Sequence, residues 1–309
     1  MPETPVQAED VDVVICTRNR GASIRAAVAS VLANDYPAFR LTVIDQSTND
    51  ETEKALEPVV RDDARIHYVH VDEAGLSRAY NTGIRMTSAD VLCFTDDDCV
   101  VPSDWISSIA AAFRAEPDGD LLYGQVLPYR KGDTLTPELR IKKPERLGRG
   151  SGYRVFGMGA NFAARRRLFT NVGPFDQVLG GGGPLRSSQD FDLAYRTYKG
   201  GSIILLRPEV TLLHDGRREA EDWPTLLLNY GTGDGAFYMK HIRCRDPYAT
   251  WIFVKLLVIT AAKAVVKKVV RKDDSKVPYL KGMIAGARGS FKFKVDRPHK
   301  LYVEAGATG

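Results

Sequence analysis

The sequence predicts an α/β fold with a largely parallel sheet, followed by C-terminal helices. Three observations carry this reading. Apolar runs of strand length alternate with helix-patterned segments through the first hundred residues. Polar clusters close three of those runs. After about residue 240 the chain becomes helical and basic. A length of 309 residues holds one large domain, or one domain with an appendage.

Val11 to Thr17 is an apolar run ending in Thr-Arg-Asn-Arg. Ser23 to Ala33 reads as an alanine-rich amphipathic helix, stopped by Asn34 and Pro37. Arg40 to Ile44 is a second strand, closed by Asp45-Gln46-Ser47-Thr48-Asn49-Asp50. A helix near Glu51 to Arg61, a strand over Ile66 to Val71 and a helix from Leu76 to Met86 follow. Strand Asp90-Val91-Leu92-Cys93-Phe94 then runs into Asp96-Asp97-Asp98. This spacing argues for right-handed βαβ units, whose ligands bind outside the carboxyl ends of the strands. Three successive carboxylates there point to a hard cation such as Mn²⁺ or Mg²⁺, because an unpaired buried carboxylate is costly.

Pro128 to Ser151, rich in Lys, Arg, Pro and Gly, reads as a long irregular connection, with order resuming over Tyr153 to Ala164. The run Gly180-Gly181-Gly182-Gly183-Pro184 marks a loop. Ser187-Ser188-Gln189-Asp190 then opens a helix through Tyr198. Ser202 to Leu206 and Val210 to Leu213 read as two short strands, the second ending at His214. Helices follow from Trp223. Trp251 to Ala262 is apolar but broken by Lys255, and Lys255, Lys263, Lys267 and Arg271 fall on one drifting helical face. The clean stretch is short for a span, so residues 248–272 are read as a membrane-surface helix, with a core-packing or homodimer helix as the alternative.

Composition excludes some classes. The 44% apolar and 27% charged fractions are ordinary for a globular protein, and a net charge of +4 gives no case for a nucleic-acid partner. The four cysteines form no CxxC pair, which argues against a zinc or redox motif and for a reducing compartment. Met1 to Pro5 resembles no secretory signal. The expected location is cytoplasmic, with peripheral contact on the inner face of the membrane.

Taken in order, Val13-Val14-Ile15-Cys16-Thr17-Arg18-Asn19-Arg20, Val43 to Asp50, Gly75-Leu76-Ser77-Arg78-Ala79-Tyr80-Asn81-Thr82-Gly83 and Phe94 to Asp98 resemble family 2 glycosyltransferases of the GT-A fold. The resemblance covers roughly residues 10 to 218. It implies a GT-A αβα sandwich with a mostly parallel central sheet, a GT-A domain over 1–220 and a basic helical extension over 221–309. It also implies an inverting, metal-dependent hexosyltransferase that moves a sugar from a nucleotide-diphosphate donor, UDP or dTDP, to an acceptor hydroxyl, while the C-terminal apolar and basic helices favour a glycan or lipid-linked acceptor in bacterial surface glycan or polysaccharide synthesis. Asp45 would sit beside the base, with Thr17 and Arg18 in the same pocket. The triplet resembles the DxD motif, with Asp98 binding Mn²⁺ or Mg²⁺, Asp96 supporting it and Asp97 facing the ribose. Arg78 and Asn81 would lie near the nucleotide.

Within the pair Gln189-Asp190, where the family often has Glu-Asp, Asp190 would be the base, with Asp192 the runner-up. His214 resembles a further metal ligand of some members, and Arg217 would neutralise the diphosphate beside Arg218. Gly157-Met158-Gly159-Ala160-Asn161 resembles the segment bordering donor sugar and acceptor, so Gly159 and Asn161 join the candidates. The chemistry suits these residue types: a cation stabilises the departing diphosphate, and a carboxylate takes the acceptor proton. Two competing classes are a nucleotidyltransferase, for which Thr17-Arg18-Asn19-Arg20-Gly21 is a poor phosphate loop, and an inactive sugar-nucleotide-binding module.

Overall fold

A computed structural model describes residues 10–131, 136–154, 156–216, 219–271 and 276–304. Strands β1 (Val11–Thr17), β2 (Phe39–Asp45), β3 (Ile66–His70) and β4 (Val91–Asp96) alternate with helices α1 (Ile24–Leu32), α2 (Glu51–Asp62) and α3 (Leu76–Met86). A tight turn then gives the short β5 (Cys99–Val100), followed by α4 (Trp105–Ala115), β6 (Gly119–Pro128), β7 (Glu145–Leu147), β8 (Asn161–Arg165) and α5 (Arg166–Val172). Next come α6 (Gln189–Gly200), β9 (Ile203–His214), α7 (Trp223–Arg243) and α8 (Pro247–Val266), which continues as a π-helical turn over Lys267–Arg271. The order closes with α9 (Lys276–Gly289), β10 (Lys294–Asp296) and β11 (Leu301–Val303).

The chain divides into two compact units, the first comprising residues 1–73, 79–174 and 194–217, and the second 74–78, 175–193 and 218–309. The sheet of the first has the order β3-β2-β1-β4-β8-β6-β9-β5, with β7 also on β9. Strands β3, β2, β1 and β4 are parallel, as are β6 and β9, whereas β8, β5 and β7 pair antiparallel. Period-two alternation builds the layers. Val11, Val13 and Ile15 join a core with Ile24, Val28, Leu56, Trp105 and Phe113, while Val14 meets Gly83 of α3. On that second face Phe94 and Phe162 stack at 4.5 Å, with Tyr80 edge-on to both, a geometry worth about 1 kcal/mol per pair beyond area.

Two expectations change. The strands read over Ser202 to Leu206 and Val210 to Leu213 are one twelve-residue strand, β9. Pro208 ends neither half, because the ladder with β6 absorbs the break as a register shift between Gly124 and Gln125, and Gln125 donates to the Pro208 carbonyl at 2.7 Å. The connection after β6 also holds more order than its composition suggests, with an antiparallel bridge of Val126 to Leu139 and strand β7. The β10-β11 hairpin has no counterpart in the sequence reading.

In the second unit α7 and α9 pack with backbones nearly touching. A Cβ at Gly231 would lie 2.1 Å from the Tyr279 carbonyl oxygen, and one at Gly235 2.0 Å from that of Met283. Reciprocally, a Cβ at Gly282 would lie 2.2 Å from Leu228 O, and at Gly286 1.9 Å from Thr232 O. Each helix presents two glycines four residues apart, and no other residue permits this approach. Gly286→Ala is expected to force α9 off α7 and lower stability by about 1–3 kcal/mol, read as a fall in the thermal midpoint. An unchanged midpoint would refute the close contact.

Candidate functional site

Strand pairing builds the site. Parallel register sets Thr17 opposite Asp45, and Cys16 opposite Asp96, so the ends of β1, β2 and β4 coincide. The antiparallel β5-β9 pair sets Cys99 opposite His214, and the Asp215 N–H donates to the Asp98 carbonyl at 2.8 Å. His214 thus returns from far along the chain to the acidic turn.

The carboxylates there have distinct partners. Thr17 Oγ1 donates to Asp97 Oδ2 at 2.6 Å. Asp98 meets Arg20 at 3.1 Å through Oδ2 and His214 Nε2 at 3.2 Å through Oδ1. Tyr80 OH reaches Asp96 at 3.5 Å. One ligand atom from each of Asp96, Asp98, Cys99 and His214 lies within 4.8 Å of all the others. Two carboxylates and an imidazole suit Mn²⁺ or Mg²⁺ completed by substrate oxygens, so the residues fit a divalent cation. Burial alone would lower the His214 imidazole, but the Asp98 carboxylate against Nε2 outweighs it and the net shift is upward. Burial raises the Cys99 thiol, and nearby Asp96 and Asp98 push it further.

Asp45 is fully buried. Its Oδ1 accepts from the Ser47 N–H at 2.8 Å, and its Oδ2 from Tyr68 OH at 2.7 Å. Burial raises the Tyr68 hydroxyl, helped by Asp45, so it remains a donor. Asn19, in the left-handed region at φ 56°, ties the β1 end to the β2 end: its N–H donates to Ser47 Oγ at 2.7 Å and its Oδ1 accepts from Thr48 N at 2.9 Å.

Thr17, Asp96, Asp97, Asp98 and His214 are therefore brought together, with Asp45 in register beside Thr17. Arg18 is exposed, and Asn81 and Gly159 are buried. Asn161 is turned into the scaffold, accepting from Trp105 Nε1 at 3.0 Å and donating to the carbonyls of Gln125 and Val210 at 2.7 and 3.1 Å. Arg217 lies outside the described residues. In the second unit Arg78 pairs with Glu304. Gln189 and Asp190 open α6, with Gln189 buried and Asp190 half-buried, its Oδ1 accepting from Phe191 N at 3.0 Å. The runner-up Asp192 is fully buried against Lys240 and His241. The sequence reading missed Arg20, Cys99, Tyr80, Ser47 and Tyr68. Arg20, Ser47 and Tyr80 sit inside the motifs that resemble the family and Cys99 directly follows one, whereas nothing local marks Tyr68 as a partner of Asp45.

A family model described as Glycosyl transferase family 2 matches residues 12–173, just over half of the chain. The chain belongs to glycosyl transferase family 2. Similar proteins include the glucosyl-dolichyl phosphate glucuronosyltransferase of Haloferax volcanii, 25% identical over 55% of this chain and 57% of that protein. The pre-mycofactocin glycosyltransferase of Mycobacterium tuberculosis is 23% identical over 78% of this chain and 50% of its own length. The chain thus spans little more than half the length of these two relatives. Among solved structures, the mannosyltransferase PcManGT from Pyrobaculum calidifontis in complex with GDP-Man and Mn²⁺ has a TM-score of 0.60 at 17% identity, covering 93% of this chain and 88% of that chain. S. aureus TarS 1–349 in complex with UDP-GlcNAc has a TM-score of 0.56 at 16% identity, covering 73% and 66%. These likenesses carry the GT-A fold, and within the family neither the nucleotidyltransferase nor the inactive module is favoured.

A cation at this family 2 site would compete with the proton on His214, whose raised pKa makes protonation begin above the ordinary histidine range. Calorimetric titration with Mn²⁺ should show affinity falling as pH drops through that range, by more than about tenfold between pH 7.5 and 5.5. Asp98→Ala should remove the binding. Retained binding in Asp98→Ala would eliminate the cluster as the cation site.

Proposed function

We propose that the chain transfers a hexosyl group, with inversion, from a UDP- or dTDP-sugar to an acceptor hydroxyl on a glycan or lipid-linked saccharide, in the assembly of a bacterial surface glycan or polysaccharide. The observation that carries this reading is the meeting of Asp96, Asp98 and His214 at strand ends in register with Thr17 and Asp45. Asp96, Asp98 and His214 would hold Mn²⁺ or Mg²⁺, which when bound supplies positive charge to the departing diphosphate. Asp45 would accept the ring N–H of the base through a remaining lone pair, since Ser47 and Tyr68 already fix its orientation. Thr17 and Arg18 would border the same base, Asp97, held by Thr17, would face the ribose, and Asn81 and Gly159 would border the donor. Arg217 would meet the diphosphate.

In the transfer step the bond from the sugar C1 to the diphosphate oxygen breaks as the acceptor oxygen bonds to C1 from the opposite face. The acceptor proton passes to the Asp190 carboxylate, with Gln189 beside it. Asp190→Asn should leave nucleotide binding within twofold and lower transfer by about 10²- to 10⁴-fold, measured as diphosphate release alongside binding of UDP. Transfer surviving the substitution would exclude Asp190 as base. A screen of UDP-, dTDP- and GDP-sugars tests the nucleotide assignment.

The acceptor reading draws on α8. Among the described residues this one helix is long and apolar enough, by length and composition, to cross a membrane. Ala249, Phe253, Thr260 and Ala264 form its buried side. Trp251, Val254, Val258 and Val265 form an exposed apolar stripe, and Val269 and Val270 extend it at 75% and 73% exposure. Residues 247–271 contain no Asp or Glu and carry Lys255, Lys263 and Lys267, a pattern that suits an anionic lipid surface. A lipid-linked acceptor would be met there, at the inner face of the cytoplasmic membrane. Flotation with phosphatidylglycerol-containing liposomes should carry the wild-type chain and lose the Val254→Glu, Val258→Glu double variant. If both stay down and the wild type sediments as a dimer, the stripe belongs to a homodimer contact instead.

A further inference from the structure

Lys240 is completely buried, a rare state for a lysine without partners. Its Nζ lies 2.6 Å from Asp176 Oδ2 and 2.7 Å from Asp192 Oδ1. Those two aspartates bracket the segment that contains the glycine run and Asp190. The same Asp192 oxygen accepts from His241 Nε2 at 3.0 Å. Asp176 also accepts from Tyr302 N at 2.9 Å and, through Oδ1, from Val178 N at 3.1 Å. One ammonium therefore ties together both ends of the segment.

A second tie falls inside it. Ser188 has φ 70°, a conformation that L-residues rarely hold without support. Its hydroxyl donates to Asp234 Oδ1 at 2.7 Å, and Asp234 Oδ2 accepts from Tyr279 OH. Asp234 and His241 lie about two turns apart on one face of α7, and Lys240 immediately precedes His241. Between the ties the segment closes on itself, with Gly180 N donating to Ser187 O at 3.1 Å and Leu185 N to Val178 O at 2.9 Å. The α6 backbone starts from this frame, with Asp192 N donating to Ser188 O at 2.9 Å.

We propose that Lys240 and Asp234 are positioning residues that fix the first turn of α6, and thereby the carboxylate of Asp190, for proton transfer. The inference rests on the reading of Asp190 as base. An apolar core of equal volume would be at least as stable as this buried charge cluster. What directional bonds add is placement, because a shift of about 1 Å in a reacting group can cost about a hundredfold in rate.

Ser188→Ala and Lys240→Met test this, with Asp190→Asn alongside. Ser188→Ala should lower kcat for transfer about fivefold to tenfold with donor KM within twofold, and speed amide hydrogen exchange in 186–192. Lys240→Met should lower kcat further and speed exchange across 176–192. If Lys240→Met fails to fold, Ser188→Ala decides alone. Unchanged exchange and kcat in Ser188→Ala overturns the positioning role, as does a parallel rise in donor KM. If exchange speeds while Asp190→Asn still transfers, the ties are real but the base assignment falls, and the catalytic part of the inference falls with it.

Discussion

Three carboxylates at the end of one buried strand must be neutralised, and much of the first unit follows from that requirement. Like charges about 4 Å apart repel by roughly 4 kcal/mol at an effective dielectric of about 20. No single neighbour offsets this. Thr17 donates from β1 to Asp97, Arg20 reaches Asp98 from the following turn, and His214 arrives on the far end of β9. The β5-β9 pairing is short, yet without it the imidazole would have no route to Asp98. A bound cation would take up the same surplus charge, so a structural and a catalytic demand on these residues would share one origin.

The same cluster departs from a purely oxygen-lined cation site. Cys99 is 1% exposed, belongs to the apolar core and still brings Sγ within reach of the other three ligand atoms. Its raised pKa keeps it a thiol, and a thiol is a poor ligand for Mg²⁺ and a weak one for Mn²⁺. Cys99 therefore acts first as a small apolar member of the core. The carboxylates of Asp96 and Asp98, with the His214 imidazole, would carry the affinity for a cation of this type.

The first half of the fold was legible because its signals are local. Strand-length apolar runs, breakers between them and polar residues at their ends gave β1 to β4, α1 to α3 and the acidic turn close to their observed bounds. Features that depend on distant pairing were not legible. The β6 ladder carries β9 through Pro208, which in isolation reads as a break. Asn161 looked like a substrate contact by its motif, but three scaffold hydrogen bonds draw its amide inward. Lys240 follows Tyr238 and Met239 in a helix, and nothing in that spacing separates a buried ammonium from a solvated one.

The two glycine pairs of α7 and α9 bear on the buried charges of the second unit. Close backbone approach at Gly231, Gly235, Gly282 and Gly286 leaves no room for side chains to slide. Tyr279, four residues before Met283, is thereby held over α7, where its hydroxyl meets Asp234. Had larger residues separated the helices by even ~2 Å, that bond would open and leave Asp234 with Ser188 as its remaining donor. Burial raises the Asp234 carboxyl, and the hydrogen bonds from Tyr279 and Ser188 pull it back only in part. A carboxylate in that position depends on both donors staying within reach. Asp234 is thus the carboxylate shared by the α7–α9 contact and the segment that opens α6.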